Sequence, residues 1–170
     1  MQILLNPDQL QLTINRLAHQ LMEEEQGIND TVFIGLQPRG IIISDKIIES
    51  IKTHHPQEVL YGKLDITFYR DDIRSEIHRA NQTDIPFSIE NKTVILIDDV
   101  LYTGRTVRAA LDALQDFGRP KAVKLCVLVN RRFGRELPIQ PDFCGIVIDS
   151  NNCQKVKVQK DTEEVFLYSE

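Results

Sequence analysis

The run Val94-Ile95-Leu96-Ile97-Asp98-Asp99-Val100-Leu101-Tyr102-Thr103-Gly104-Arg105-Thr106-Val107 constrains the fold of this chain more than any other stretch. Its opening, Thr93 to Ile97, is almost continuously apolar, the pattern of a strand covered on both faces. Such a strand belongs in a largely parallel sheet with helices on both sides. Two carboxylates follow it, then a short loop containing Gly104. A helical stripe of Val107, Ala110, Leu111, Leu114 and Phe117 comes next, closed by Gly118 with Pro120 beyond.

The flanking sequence repeats the alternation. Asn6 is placed to cap a helix and Pro7 suits its first position. Leu10, Ile14, Leu17 and Leu21 then recur at helical spacing, with Gly27 as the expected stop. Thr31 to Leu36 reads as a buried strand, Gly40 to Ile51 as a helix and Val59 to Tyr69 as a long strand. Ala122 to Val129 reads as another buried strand. Phe143 to Ile148, Val156 to Gln159 and Glu164 to Tyr168 read as three short strands. The stretch from about 70 to 90 is polar and aperiodic, consistent with a functional lid or with a short hairpin that has a disordered tip.

Composition narrows the function classes. The 170 residues are 42% apolar and 26% charged, which suits one domain with a substantial core. No apolar run is long enough for a membrane helix and the N-terminus does not read as a secretory signal, so a cytoplasmic protein with no membrane partner is expected. The net charge of -5 gives nucleic-acid binding no global support. Arg105 with Arg108, and Arg131 and Arg132 with Arg135, are short basic clusters that read as solvated surface. Cys126, Cys144 and Cys153 lack the spacing of a zinc or redox motif.

The chemistry concentrates after the Thr93 strand. Ligands of open α/β sheets bind beyond the carboxyl ends of the strands, where Asp98 and Asp99 fall. Carboxylates accept hydrogen bonds from sugar hydroxyls and suit a magnesium-bound substrate. The amides from Tyr102 to Thr106 lie at a helix start, where orphan donors and the macrodipole favour a phosphate. Gly104 permits close approach of the backbone, and the hydroxyls of Thr103 and Thr106 add donors. The implied chemistry is capture of a ribose 5-phosphate. It is neither a Walker loop, for want of Gly-Lys-Ser/Thr, nor a G-x-G-x-x-G fingerprint. Taken alone, a lone acid pair or Thr-Gly pair would merely end a strand and cap a helix. The unbroken succession favours the binding site.

The stretch VILIDDVLYTGRT resembles the phosphoribosyl pyrophosphate signature of type I phosphoribosyltransferases. Leu64 to Tyr69 with Arg70, Asp71 and Asp72, then Val107-Arg108-Ala109-Ala110 and Arg135-Glu136-Leu137-Pro138-Ile139, are similar to the PyrR family. Those proteins are pyrimidine operon attenuation regulators with uracil phosphoribosyltransferase activity. The resemblance implies a single domain over 1-170, with a flexible loop at about 70-90 and a small hood of C-terminal strands at about 130-170. It implies catalytic roles for Asp98, Asp99 and Arg70. It implies substrate binding by Pro38, Arg39 and Gly40 at the pyrophosphate, and by Val100, Leu101, Tyr102, Thr103, Gly104, Arg105 and Thr106 at the sugar phosphate. On their own, Arg39 reads as a surface cation and Arg70 as the partner of Asp71 or Asp72, and both gain weight only from lying in the matching motifs.

The resemblance also implies Mg2+ bridged through pyrophosphate with no direct protein ligand, and self-association as a dimer or higher. It implies transfer of ribose 5-phosphate to a pyrimidine, with uracil expected. The alternative is a nucleotide-sensing RNA-binding regulator with weak or no catalysis. The chain departs from the family pattern at Pro38, where a threonine is usual, and at Asn130 to Pro138, which is one residue longer. The hood stretch, Ile146 to Asn151, also differs. The expected RNA face keeps Arg16 and His19, but Glu23-Glu24-Glu25 follows and Ile146 stands where the family has lysine. The basic patch is therefore weakened.

Overall fold

A computed structural model describes residues 1–24, 28–70 and 82–169. The N-terminal strand β1 (Gln2–Leu5) leads into α1 (Pro7–Glu24). Asn6 caps α1 reciprocally: its Oδ1 accepts the Gln9 N–H at 2.9 Å, and Gln9 Oε1 accepts the Asn6 N–H at 3.0 Å. Leu10, Ile14, Leu17 and Leu21 form the buried face of α1, as their spacing predicts. The expected stop at Gly27 lies outside the described residues.

Next come β2 (Thr31–Gln37), α2 (Gly40–His54), β3 (Leu60–Asp65), β4 (Thr93–Leu101), α3 (Arg105–Leu114), β5 (Ala122–Arg131) and β6 (Phe143–Ile148). The strands β2 to β6 form one five-stranded sheet in the order β3-β2-β4-β5-β6. Every pairing in it is parallel. The chain closes with β7 (Gln154–Gln159) and β8 (Glu164–Ser169), which pair antiparallel.

Alternation along the central strands feeds two cores. Phe33, Ile95, Ile97, Cys126 and Leu128 pack with α1 and α2. Val32, Ile34, Val94, Leu96 and Val127 pack with α3 through Val107, Ala110 and Leu114. The helices after β2 and β4 thus cover opposite faces of the sheet. Since β2 and β4 are neighbours, their exit loops diverge and leave a crevice between them at the carboxyl end, the place where such sheets bind ligands.

The structure corrects several sequence expectations. The strand expected to reach Tyr69 stops at Asp65, because Asp65 Oδ1 accepts the Thr67 N–H at 2.9 Å and the Thr67 hydroxyl at 2.6 Å. That local turn draws Thr67–Tyr69 into a 3-10 helix and leaves Phe68 exposed. Helix α3 ends at Leu114, and both Leu111 and Phe117 of its expected stripe are exposed. The small sheet has three strands in the order β1-β8-β7, so one of them comes from the N-terminus. Strand β1 is only four residues long and half of it is exposed, so it carries no periodic signal. Strand β6 is the fifth parallel strand of the main sheet rather than part of the hood.

Of the polar loop, 71–81 lie outside the described residues. Asp84 forms an antiparallel bridge with Lys63, with N–H···O bonds of 2.7 and 2.8 Å, so this part of the chain runs along the edge strand β3.

Asn6→Ala removes the α1 cap and is expected to lower stability by about 1 kcal/mol, read as a shift of the urea midpoint at unchanged slope. An unshifted midpoint would show that the cap contributes nothing.

Candidate functional site

The crevice is bounded by two strand-to-helix loops, Gln37 to Gly40 after β2 and Leu101 to Arg105 after β4. The first is pressed against the second strand. A Cβ built on Gly40 would lie 2.8 Å from the Ile97 carbonyl oxygen and 3.0 Å from Asp98 Oδ1. Only glycine lets the start of α2 sit this close to the acids. Pro38 follows a cis peptide bond, and Arg39 is the N-cap residue of α2.

Asp98 and Asp99 lie inside β4, not beyond it, and are only 5% and 7% exposed. Each is braced by the backbone: Asp98 Oδ1 accepts the Asp99 N–H at 2.9 Å, and Asp99 Oδ1 accepts the Val100 N–H at 2.8 Å. Burial, and then the adjoining Asp99 carboxylate, push the Asp98 pKa well above the usual carboxylate range, while the Asp99 amide and Arg70 act against this. Burial also raises Asp99, opposed by bonds from Asp98 and Val100 and by the charge of Arg39. Arg39 and Arg70, far apart in sequence, therefore both act on the acid pair.

The second loop enters α3 through Gly104, whose φ of 93° is left-handed and strained for any other side chain. Thr103 Oγ1 accepts the Arg105 N–H at 3.3 Å, and Gly104 O accepts the Arg108 N–H at 3.0 Å. The Arg105 side chain turns outward to Glu136, with Nε 2.6 Å from Oε2. Val100 packs against the first core and Leu101 is buried in the second, so their side chains serve packing. The Tyr102 hydroxyl donates to Asn152 Oδ1 at 3.0 Å.

Three residues with no role expected from their sequence context stand out. Arg131, read as solvated surface, is 3% exposed, and its guanidinium carbon stacks 3.6 Å from the centre of the Tyr102 ring. Arg135 of the same cluster is half-buried and donates to the Tyr102 carbonyl. Asp65 ends β3 beside Gln37, and among the described residues its buried Oδ2 has no hydrogen-bond partner. An acid at the carboxyl end of a parallel strand was the signal that selected Asp98, and it passed over Asp65 because the strand was expected to run on to Tyr69.

Among the described residues, no group of three or more His, Cys, Asp or Glu is placed to hold a metal ion by itself. Asp98 and Asp99 offer hard oxygen acceptors, which suit the hydroxyls of a sugar that brings its own magnesium ion. Taken together, the crevice offers a buried acid pair, two arginines and a helix start lined with backbone amides. This combination can hold a polyanionic sugar and stabilise charge that develops on it. No helix among the described residues is long and apolar enough to cross a membrane.

A family model described as a phosphoribosyl transferase domain matches residues 2–161. The chain is 44% identical over 156 residues to a protein named "Bifunctional protein PyrR" from Picosynechococcus sp., covering 91% of this chain and 88% of the relative. It is 44% identical over 159 residues to the protein of that name from Brevibacillus brevis, covering 92% and 88% of the two chains. Among solved structures, a hypoxanthine phosphoribosyltransferase from Staphylococcus aureus superposes with a TM-score of 0.70 at 23% identity, covering 87% of this chain and 77% of that one. A hypoxanthine-guanine phosphoribosyltransferase from Bacillus anthracis gives a TM-score of 0.70 at 22% identity, covering 89% and 84%. At that identity the two structures show the shared fold alone.

The raised pKa of Asp98 carries a stability prediction. A carboxyl that binds its proton more tightly folded than unfolded destabilises the fold above its folded pKa. The penalty is relieved as pH falls through that value. Asp98→Asn keeps the Oδ1 acceptor and removes the charge. It should raise the urea midpoint at pH 8, and the gain should shrink toward pH 4. A gain that stays constant with pH contradicts a charge penalty at this site.

Proposed function

The chain belongs to the phosphoribosyl transferase domain family and is a phosphoribosyltransferase of the PyrR type, and from this premise we propose that it transfers ribose 5-phosphate from 5-phosphoribosyl pyrophosphate to uracil. The products are UMP and pyrophosphate. The observation that supports the site most directly is the 3.0 Å approach of a Gly40 Cβ position to Asp98 Oδ1, which joins the two loops into one crevice.

In this reading, the backbone amides of Tyr102 to Thr106 and the hydroxyls of Thr103 and Thr106 take the 5-phosphate at the start of α3. Arg105 contributes through its amide, which would turn from Thr103 Oγ1 to the phosphate, since its guanidinium is paired with Glu136. Asp98 and Asp99 accept hydrogen bonds from the ribose hydroxyls. Pro38, Arg39 and Gly40 receive the pyrophosphate, with Arg70 closing over it. Breaking the anomeric C–O bond builds positive charge on the sugar ring and negative charge on the leaving group. The carboxylates face the first, and Arg39 and Arg70 face the second. Mg2+ bound with the pyrophosphate would supply neutralisation of the leaving group's charge, with Arg39 and Arg70 beside it. We place the reaction in the cytoplasm.

Isotope-labelled uracil, the pyrophosphate donor and Mg2+ should yield labelled UMP. Asp99→Asn is expected to lower kcat by on the order of 100-fold, because a charge aimed at the transition state is lost. No nucleotide product from any of the common nucleobases would refute the enzymatic reading.

A second activity is supported by the name of the relatives, which calls them bifunctional. We read it as nucleotide-sensitive binding of regulatory RNA. The face expected for it is poor in free cations: Arg16 is engaged by the Gly145 carbonyl oxygen, and Glu23 and Glu24 are exposed beside it. Binding should therefore be weak in a gel shift with pyrimidine leader RNA, and its salt dependence shallow, because few phosphates are neutralised. We also read the protein as a homo-oligomer, a dimer or higher, which sedimentation checks.

A further inference from the structure

The loop after β4 is held from behind by a segment that begins at Arg135, an arginine whose sequence context suggests solvated surface. Arg135 Nη1 donates to the Tyr102 carbonyl. The next carbonyl, that of Thr103, accepts the N–H groups of Glu136 at 3.0 Å and Leu137 at 3.1 Å. In a trans peptide the carbonyl of one residue and the N–H of the next point in opposite directions. Pinning the Tyr102 and Thr103 carbonyls toward the 135–137 segment therefore turns the N–H groups of Thr103 and Gly104 the other way. Those N–H groups belong to the loop that enters α3.

Arg135 is itself fixed. Its Nη2 donates to Asn130 Oδ1 at 2.6 Å, and it is half-buried. Burial lowers its pKa from the usual guanidinium value, yet the group stays charged. A charged donor on a carbonyl also polarises the peptide, which strengthens the opposite N–H as a donor.

Other contacts hold the same loop. The buried Arg131 stacks on the Tyr102 ring at 3.6 Å and donates through Nε to Ser150 Oγ at 2.7 Å and through Nη2 to the Asn151 carbonyl at 2.8 Å. Gly134, with φ of 89°, lies so close that a Cβ there would come within 2.3 Å of Tyr102 Cε2. Glu136 pairs with Arg105 at 2.6 Å. The strut thus links the hood side of the molecule, through Ser150 and Asn151, to the loop at the start of α3.

We propose that Arg135 is a positioning residue for the sugar phosphate: by holding the Tyr102 carbonyl it aims the Thr103 amide, and with the Glu136 and Leu137 amides it shapes the anion nest that receives the 5-phosphate. This rests on the reading of residues 102–106 as the 5-phosphate loop. It adds a residue that touches no ligand and acts through the peptide plane.

The test is calorimetric titration of the whole protein with two probes. Ribose 5-phosphate reports the loop after β4, and pyrophosphate with Mg2+ reports the loop after β2. Arg135→Met should weaken ribose 5-phosphate by ~10-fold, the scale of one charge-assisted hydrogen bond. Pyrophosphate should change by less than about twofold, since it binds on a separate loop. Arg135→Lys keeps the charge but cannot span both Tyr102 O and Asn130 Oδ1, so an intermediate loss of about threefold is expected.

If Arg135→Met does not fold, the lysine variant decides alone. Equal loss of both probes would mean a general structural role, and unchanged ribose 5-phosphate affinity would mean no role; either overturns the proposal. A wild-type protein that binds pyrophosphate but not ribose 5-phosphate overturns instead the reading of the loop on which the proposal stands.

Discussion

The structure depends on the seating of α2 against the end of β4. At Gly40 the helix start comes within a Cβ's reach of the Ile97 carbonyl and the Asp98 carboxylate. Nothing larger fits without moving backbone. This contact places the loop after β2 beside the acids of β4, although α2 and α3 cover opposite faces of the sheet. The crevice at the switch point is thereby narrowed into one site instead of two loops facing solvent separately.

The site is held under electrostatic tension. Two adjoining carboxylates are buried where apolar residues would stabilise more, and burial drives both pKa values up. Arg39 and Arg70 offset part of that tension, and a polyanion with its magnesium would alter the balance again. A fold that keeps such a pair in a strand interior gives up stability for a fixed array of acceptors. The cores on either side carry that burden, with Val32, Ile34, Ile95, Ile97 and Val127 all almost fully buried.

Local chemistry was legible in the sequence, and distant contacts were not. The β4 strand, its acid pair, Gly104 and the start of α3 lie in one continuous stretch, and its pattern states its structure. The capping of α1 by Asn6 was legible for the same reason. Arg131 and Arg135 were misread because what determines their role, Tyr102, lies about thirty residues away and only folding brings it near. Strand β1 was missed because it is short and gains its meaning from β8, at the other end of the chain. The overlong β3 has a different cause: Phe68 and Tyr69 favour strands, but the Asp65 side chain captures the Thr67 amide and bends the chain first.

The most direct test is a crystal structure of the protein with Mg2+ and 5-phosphoribosyl pyrophosphate, or a non-reacting analogue. The 5-phosphate is expected over the amides of residues 102–106, the ribose hydroxyls on Asp98 and Asp99, and the pyrophosphate over residues 38–40. A donor bound elsewhere, or acids turned from the sugar while it is bound, would contradict this placement.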